Sequence, residues 1–197
     1  MKLKIITGSN RTESNSGKIA QIIAQRAQDG GSFSDVNEIN FAKVNIPQWD
    51  EAVWQQSPPS PQWQPIKDDI IKPMQQDDAF VIITPEYAGM VPGILKNFFL
   101  LCGTKEMGHK PALIVSVSSG IGGSYPVAEL RMSSYKNNRL CYIPDHIIVR
   151  NADEFDGSSN TSARLDYCLS LLSEYSKALK QVRDSGVINT KDFPFGL

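Results

Sequence analysis

Apolar residues in this chain fall into short continuous runs separated by longer stretches in which they recur every three or four positions. Leu3 to Thr7 is a compact apolar run with β-branched residues, ended by Gly8, which predicts a buried strand. Ser16 to Ala27 carries Ile19, Ala20, Ile22, Ile23, Ala24 and Ala27, a helical stripe closed by Asp29-Gly30-Gly31. Phe33 to Ile39 is a weaker, mixed strand. Ile66 to Gln76 predicts a helix that Pro73 ends or kinks. Ala79 to Thr84 is a continuous apolar strand, and Pro92 to Cys102 a helix with Pro92 at or near its first turn. Ala112 to Val117 predicts another buried strand and Tyr125 to Asn138 another helix. Ile143 with His146 to Val149 marks a last strand, which Leu140 could begin. Thr161 to Val182 is a long helix with Thr161 as its N-cap, and residues 185–197 are a tail.

This order alternates strand and helix five times. Short buried strands joined by helices predict a parallel sheet covered on both faces, and right-handed crossovers make it doubly wound. The expected fold is therefore α/β, a doubly wound five-stranded parallel sheet of strand order 2-1-3-4-5, formed by residues 1–197 as a single domain. Residues 45–65 interrupt the pattern with five prolines and all three tryptophans, Trp49, Trp54 and Trp63. So long a loop in a compact domain is commonly functional or an interface. It admits two readings, packing over the edge of the core or an active-site or subunit contact.

Composition narrows the function classes. A length of 197 residues suits one well-packed domain. The net charge of −1, with no basic run interleaved with aromatics, argues against nucleic acid and anionic membranes as partners. Cys102, Cys141 and Cys168 are widely spaced, and His109 and His146 stand apart, so neither a disulfide framework nor a metal site is expected. With no signal layout at the N-terminus and no apolar run long enough to span a bilayer, a cytoplasmic protein is expected.

In such a sheet, ligands bind beyond the carboxyl ends of the strands, near the switch point between strands 1 and 3. Three loops lie there. The first, Gly8 to Ser16, runs into a helix and carries hydroxyls at Ser9, Thr12, Ser14 and Ser16, with Arg11 as a cation. Free N–H groups and the positive helix end could cradle an anion, and the loop fits neither GxGxxG nor GxxxxGK[ST]. A phosphate monoester suits it, as does an ordinary turn with capping serines. The second, Thr84 to Gly93, has two prolines and two glycines, which fix a backbone path able to read the edge of a planar heterocycle, with Tyr87 as an aromatic wall. The third, Ser118 to Ser124, has three glycines, Gly120, Gly122 and Gly123, that permit close approach of backbone to a ligand.

These motifs resemble those of the NADPH-dependent FMN reductase family, flavodoxin-like proteins that include bacterial chromate, quinone and azo-dye reductases. The family's first motif, G-S-x-R-x-x-S-x-N, is met by Gly8, Ser9, Arg11 and Ser14, with Ser16 where Asn is common. Its second, P-E-Y-N-x-S-x-P-G-x-L-K-N, is met by Pro85, Glu86, Tyr87, Pro92, Gly93, Leu95, Lys96 and Asn97, and departs at Ala88 and Met90. Ser118, Ser119, Gly122 and Gly123 fit the third. The resemblance covers residues 1–150. It implies that Ser9, Arg11, Ser14 and Ser16 bind the phosphate of FMN, that Pro85, Glu86, Tyr87, Ala88 and Gly89 line its ring, and that Ser118 and Gly120 lie by the ring's far edge. It further implies NADPH or NADH as co-substrate and a small electron acceptor: a quinone, free flavin, azo compound or metal oxyanion. The cofactor carries such chemistry, so no catalytic side chain is expected. An electron carrier of the same fold is the alternative, but such carriers are usually strongly acidic. A flavin-free regulatory domain sits poorly with the intact first loop. A homodimer, or a tetramer of dimers, is expected because the helix from Pro92 to Cys102 is apolar on more than one face.

Overall fold

The computed structural model describes residues 1–158 and 160–196. Five strands, β1 (Lys2–Thr7), β2 (Asp35–Asn40), β3 (Ala79–Pro85), β4 (Pro111–Val117) and β5 (Cys141–Val149), form one sheet in the order β2-β1-β3-β4-β5, parallel throughout. The strand order and fold class are those expected from the sequence. The central strands β3 and β4 are buried at every position, so both faces select apolar residues.

Side chains alternate between two cores because successive residues of a strand point to opposite faces. On one face Leu3, Ile5, Val81, Ile83 and Val115 pack against α1 (Asn15–Asp29) and α6 (Asn160–Asp184), through Ile19, Ile23, Leu165, Cys168 and Leu172. On the other, Ile6, Phe80, Ile82 and Ile114 meet α2 (Trp63–Ile66), α3 (Gly93–Phe99), α4 (Thr104–Met107) and α5 (Ser124–Ser133), through Trp63, Leu95, Phe98, Met107 and Leu130.

Element boundaries differ from expectation where local chemistry intervenes. The helical run from α2 continues through a wide turn, Lys67–Ile71, and a tight one, Lys72–Gln76. Pro73 lacks the N–H that would continue an α pattern, and these two turns carry the chain past it. α3 ends at Phe99, with single tight turns closing Leu100 to Cys102, and Pro92 stands before it as N-cap. α5 ends at Ser133, five residues short of expectation. β2 begins at Asp35, two residues after Phe33, which is buried in the core instead. Thr161 lies inside the first turn of α6, and the residue preceding that helix lies outside the described residues. The short helix α4 has no counterpart in the apolar pattern. In the tail, the carbonyl oxygens of Phe193 and Phe195 accept from the Arg139 guanidinium.

Residues 45–65 fold over the second core. A tight turn, Glu51–Trp54, lies within them. Trp63 is fully buried, its indole N–H donating to Asp50 at 2.8 Å, while Trp54 is 67% exposed and meets Trp49 edge-on at 5.0 Å. Ile46, Val53 and Trp63 of this segment share one buried cluster with Leu95, Phe98 and Phe99 of α3, and Phe41, just before the segment, packs on Phe98 at 5.1 Å. The apolar character of α3 is thereby accounted for without a second copy.

Candidate functional site

The three loops meet beyond the carboxyl ends of β1, β3 and β4. Gly8 begins the first, its N–H donating to Ile83 at 2.8 Å. A Cβ there would lie 2.8 Å from the Ile83 carbonyl oxygen and 2.9 Å from Leu95, so the close approach of β1, β3 and α3 requires glycine. The chain then turns into α1, with Ser14 as N-cap in an extended conformation and its hydroxyl accepting from Gly17 N–H at 3.1 Å. The N–H groups of Asn15 and Ser16 belong to the first turn and have no intrahelical acceptor. With the positive end of a helix of 15 residues and the exposed Arg11, they place N–H donors and a cation around one concavity. A cleft of about 600 Å³ opens on this loop, lined by Arg11 to Asn15 together with Lys18, Lys43 and Ser119. A larger groove, of about 740 Å³, lies between α1 and α6, and no residue of the three loops lines it.

The hydroxyls point differently from what the sequence suggests. Ser9 is fully buried, its oxygen 2.8 Å from the Tyr87 hydroxyl and accepting from Arg11 N–H at 3.3 Å. Ser16 is also buried. Of the four residues given to the phosphate, Arg11 alone extends an exposed side chain, and Thr12 adds an exposed hydroxyl beside it.

The second loop is a hairpin. Tyr87 and Met90 exchange both backbone hydrogen bonds at 3.0 Å, around Ala88 (φ 51°) and Gly89 (φ 78°). Two successive left-handed residues define the tight primed turn, which favours Asn or Gly at the first position. Ala88 occupies that position without either advantage. Val91 N–H donates to Glu129 at 2.8 Å and Lys96 to the same carboxylate at 3.0 Å. Burial pushes the Glu129 carboxyl up, but these two donors outweigh it and hold the group below its ordinary range.

The third loop is fastened from two sides. The Glu86 carboxylate accepts from the N–H of Gly123, the residue before α5, which has φ 98°. A Cβ on Gly122 would overlap that same carboxylate oxygen. Arg150 donates to the carbonyls of Ile121 at 2.8 Å and Gly122 at 2.9 Å, while Ser118 accepts from Gly120 N–H at 3.3 Å. Pro85 closes β3, and Glu86 N–H reaches Val117 at 2.9 Å. The second loop is therefore the hub, with Tyr87 reaching the first loop and Glu86 the third.

Several supports lie outside the residues expected to touch the flavin. Buried Asn97 on α3 accepts from Trp49 N–H and donates to the Pro47 carbonyl, both at 2.8 Å, fixing the Trp- and Pro-rich segment beside the site. Glu129 and Arg150 act across elements, a relation that spacing along the chain does not reveal. Asn15 donates to Asp153 at 2.9 Å, tying the first loop to the exit of β5. His109 precedes β4 and His146 lies in β5, so neither belongs to the three loops. Among the described residues there is no cluster of three or more His, Cys, Asp or Glu able to hold a metal ion, and no helix long and apolar enough to cross a membrane.

The match that decides the family covers residues 1–154, to the model of NADPH-dependent FMN reductases. The chain belongs to this family of oxidoreductases. Two curated quinone reductases of Pseudomonas putida are similar to it. One is 34% identical over 60% of this chain, a match spanning 61% of that protein's length, less than two thirds. The other is 31% identical over 78% of this chain and 81% of its own. Among solved structures, the flavoenzyme NAD(P)H:(acceptor) oxidoreductase of Paracoccus denitrificans superposes with a TM-score of 0.67, at 18% identity, over 90% of this chain and 97% of that one. At that identity the likeness speaks for the fold.

Proposed function

We propose that this chain is an FMN-dependent NAD(P)H oxidoreductase that passes electrons to a small acceptor, with a quinone as the leading candidate. The observation that carries this reading is the convergence of three loops at the switch point, joined through Tyr87–Ser9 and Glu86–Gly123. The residues fit the group. A helix N-terminus with Arg11 would hold a terminal phosphate, and the turn at Pro85 to Gly89 with the glycine loop from Ser118 through Gly120 would face a flat ring. Bound FMN would supply hydride acceptance from reduced nicotinamide and electron release to the acceptor.

The protein's part is to bind, orient and exclude. Arg11 and the first-turn N–H groups of α1 hold the anion. Glu86 keeps the third loop closed against the second. No protein acid or base takes part, since neither histidine lies in the three loops. The chain works as one cytoplasmic domain and pairs with a second copy beside the site, where Met90 (53% exposed), Tyr125 (71%) and Ile121 (85%) present apolar surface.

Steady-state turnover of the FMN-loaded protein with NADPH or NADH, against a panel of quinone, free flavin, azo dye and chromate, tests the reading. Quinone is expected to be reduced with the highest kcat/KM. Absence of nicotinamide oxidation with every acceptor would overturn it. Light scattering should return twice 21.8 kDa or more, and a monomer at micromolar concentration would contradict the pairing.

A further inference from the structure

The position of the Tyr87 hydroxyl distinguishes two roles for that residue. A tyrosine in the second loop is placed to present its ring to a flat ligand. Here its oxygen lies instead against the first loop, 2.8 Å from Ser9 Oγ. A serine hydroxyl has one proton and two lone pairs. One lone pair of Ser9 accepts from Arg11 N–H. Ser9 is fully buried, so its proton has no access to water. Among the described residues, the partner within reach of that proton is the Tyr87 oxygen. Leaving a buried donor unpaired is costly, so Ser9 donates and Tyr87 accepts. The phenolic proton of Tyr87 is then free, on a half-buried side chain at the boundary between the first and second loops. Accepting from Ser9 polarises that O–H and makes it a stronger donor.

We propose that Tyr87, oriented by Ser9, donates a hydrogen bond to the phosphate-bearing end of the flavin, in addition to walling the ring. The assignment rests on the FMN reading above. It gives Tyr87 the donor role that the inward-facing Ser9 cannot fill, and makes the residue a determinant of phosphate recognition from outside the phosphate loop.

The test is titration of the deflavinated full-length protein with FMN and with riboflavin, followed by quenching of flavin fluorescence, for wild type, Tyr87→Phe, Ser9→Ala and the double variant. Tyr87→Phe is expected to weaken FMN about ten- to a hundredfold, the range for a hydrogen bond to a charged group, and to change riboflavin affinity less than about threefold. In the Ser9→Ala background the same substitution should have a smaller effect, because the phenol has lost its orienting donor. Equal weakening of FMN and riboflavin by Tyr87→Phe, or no change in either, would overturn the proposal while leaving the FMN reading intact. Failure of the wild-type protein to bind FMN would overturn that reading, and this assignment with it.

Discussion

Replacing Glu86 should damage the site by releasing the third loop, and its neighbour Gly122 offers an internal check. The Glu86 carboxylate accepts from Gly123 N–H at the start of α5, a helix of 10 residues, and so meets its positive end. A charge-assisted hydrogen bond contributes about 1.5–3 kcal/mol and a partly buried charge at a helix terminus up to about 2 kcal/mol. The two overlap in one contact that borders solvent, so Glu86→Ala is expected to cost about 1.5–2 kcal/mol, and Glu86→Gln, which keeps an acceptor, about half that. For a chain of this size 1 kcal/mol moves the melting midpoint by about 2–4 °C. Gly122→Ala is a separate perturbation. Its φ lies outside the left-handed region, so the backbone accepts alanine, but the new Cβ would overlap the Glu86 carboxylate. Alone it should cost about 1–3 kcal/mol by overpacking. With Glu86→Ala the collision disappears, so the double variant should cost at least about 1 kcal/mol less than the sum. Urea denaturation of the four proteins measures the cycle. Additive effects, or a cost below about 0.5 kcal/mol for Glu86→Ala, would show that the carboxylate does not hold this loop.

Other expectations follow from single contacts. Arg11→Ala should weaken FMN by about 1.5–3 kcal/mol, measured by titration, since a guanidinium at the helix N-terminus makes the charge-assisted contact. Ala88→Gly should raise stability by about 0.5–1 kcal/mol in urea, the left-handed penalty of alanine less the added chain entropy of glycine. Buried Lys110, whose ammonium donates to the carbonyls of Met74 and Gln75, has its pKa lowered to about 8 by burial and by Arg183, against the pull of Asp77, Asp78 and Glu106. The unfolded chain then binds more protons between pH 8 and 10.5, so this group's contribution to stability rises across that window, by up to about 3 kcal/mol. Relative to Lys110→Met, wild type should gain stability from pH 8 to 10, and an unchanged difference would refute the shift. At saturating FMN, Tyr87→Phe should keep most of the flavin-reduction rate, and double-reciprocal plots with nicotinamide and quinone varied should be parallel. A hundredfold loss or intersecting lines would indicate side-chain acid–base participation.

The sheet was legible because β3 and β4 are covered on both faces, which leaves unbroken apolar runs flanked by glycine and proline. Their order follows from alternation with helices and from crossover handedness. Short elements escaped: α4 has four residues, too few for a helical period, and the turn at Glu51–Trp54 sits among prolines. The three site loops were legible through their glycines, prolines and hydroxyls, because those residues fix backbone path. Side-chain direction within them was not. Ser9 and Ser14 look alike along the chain, yet one hydroxyl is buried against Tyr87 and the other caps α1. The Glu86 carboxylate accepts an N–H from Gly123, 37 residues further on, a pairing that the parallel alignment of β3 beside β4 creates.

The most direct test of the central claim is an anaerobic visible spectrum of the purified protein reconstituted with FMN, recorded before and after one equivalent of NADPH. The account predicts one non-covalently bound FMN per chain, whose absorption near the visible maximum bleaches on addition of the nucleotide and returns when a quinone is admitted. A bound flavin that stays oxidised with both NADPH and NADH would contradict it.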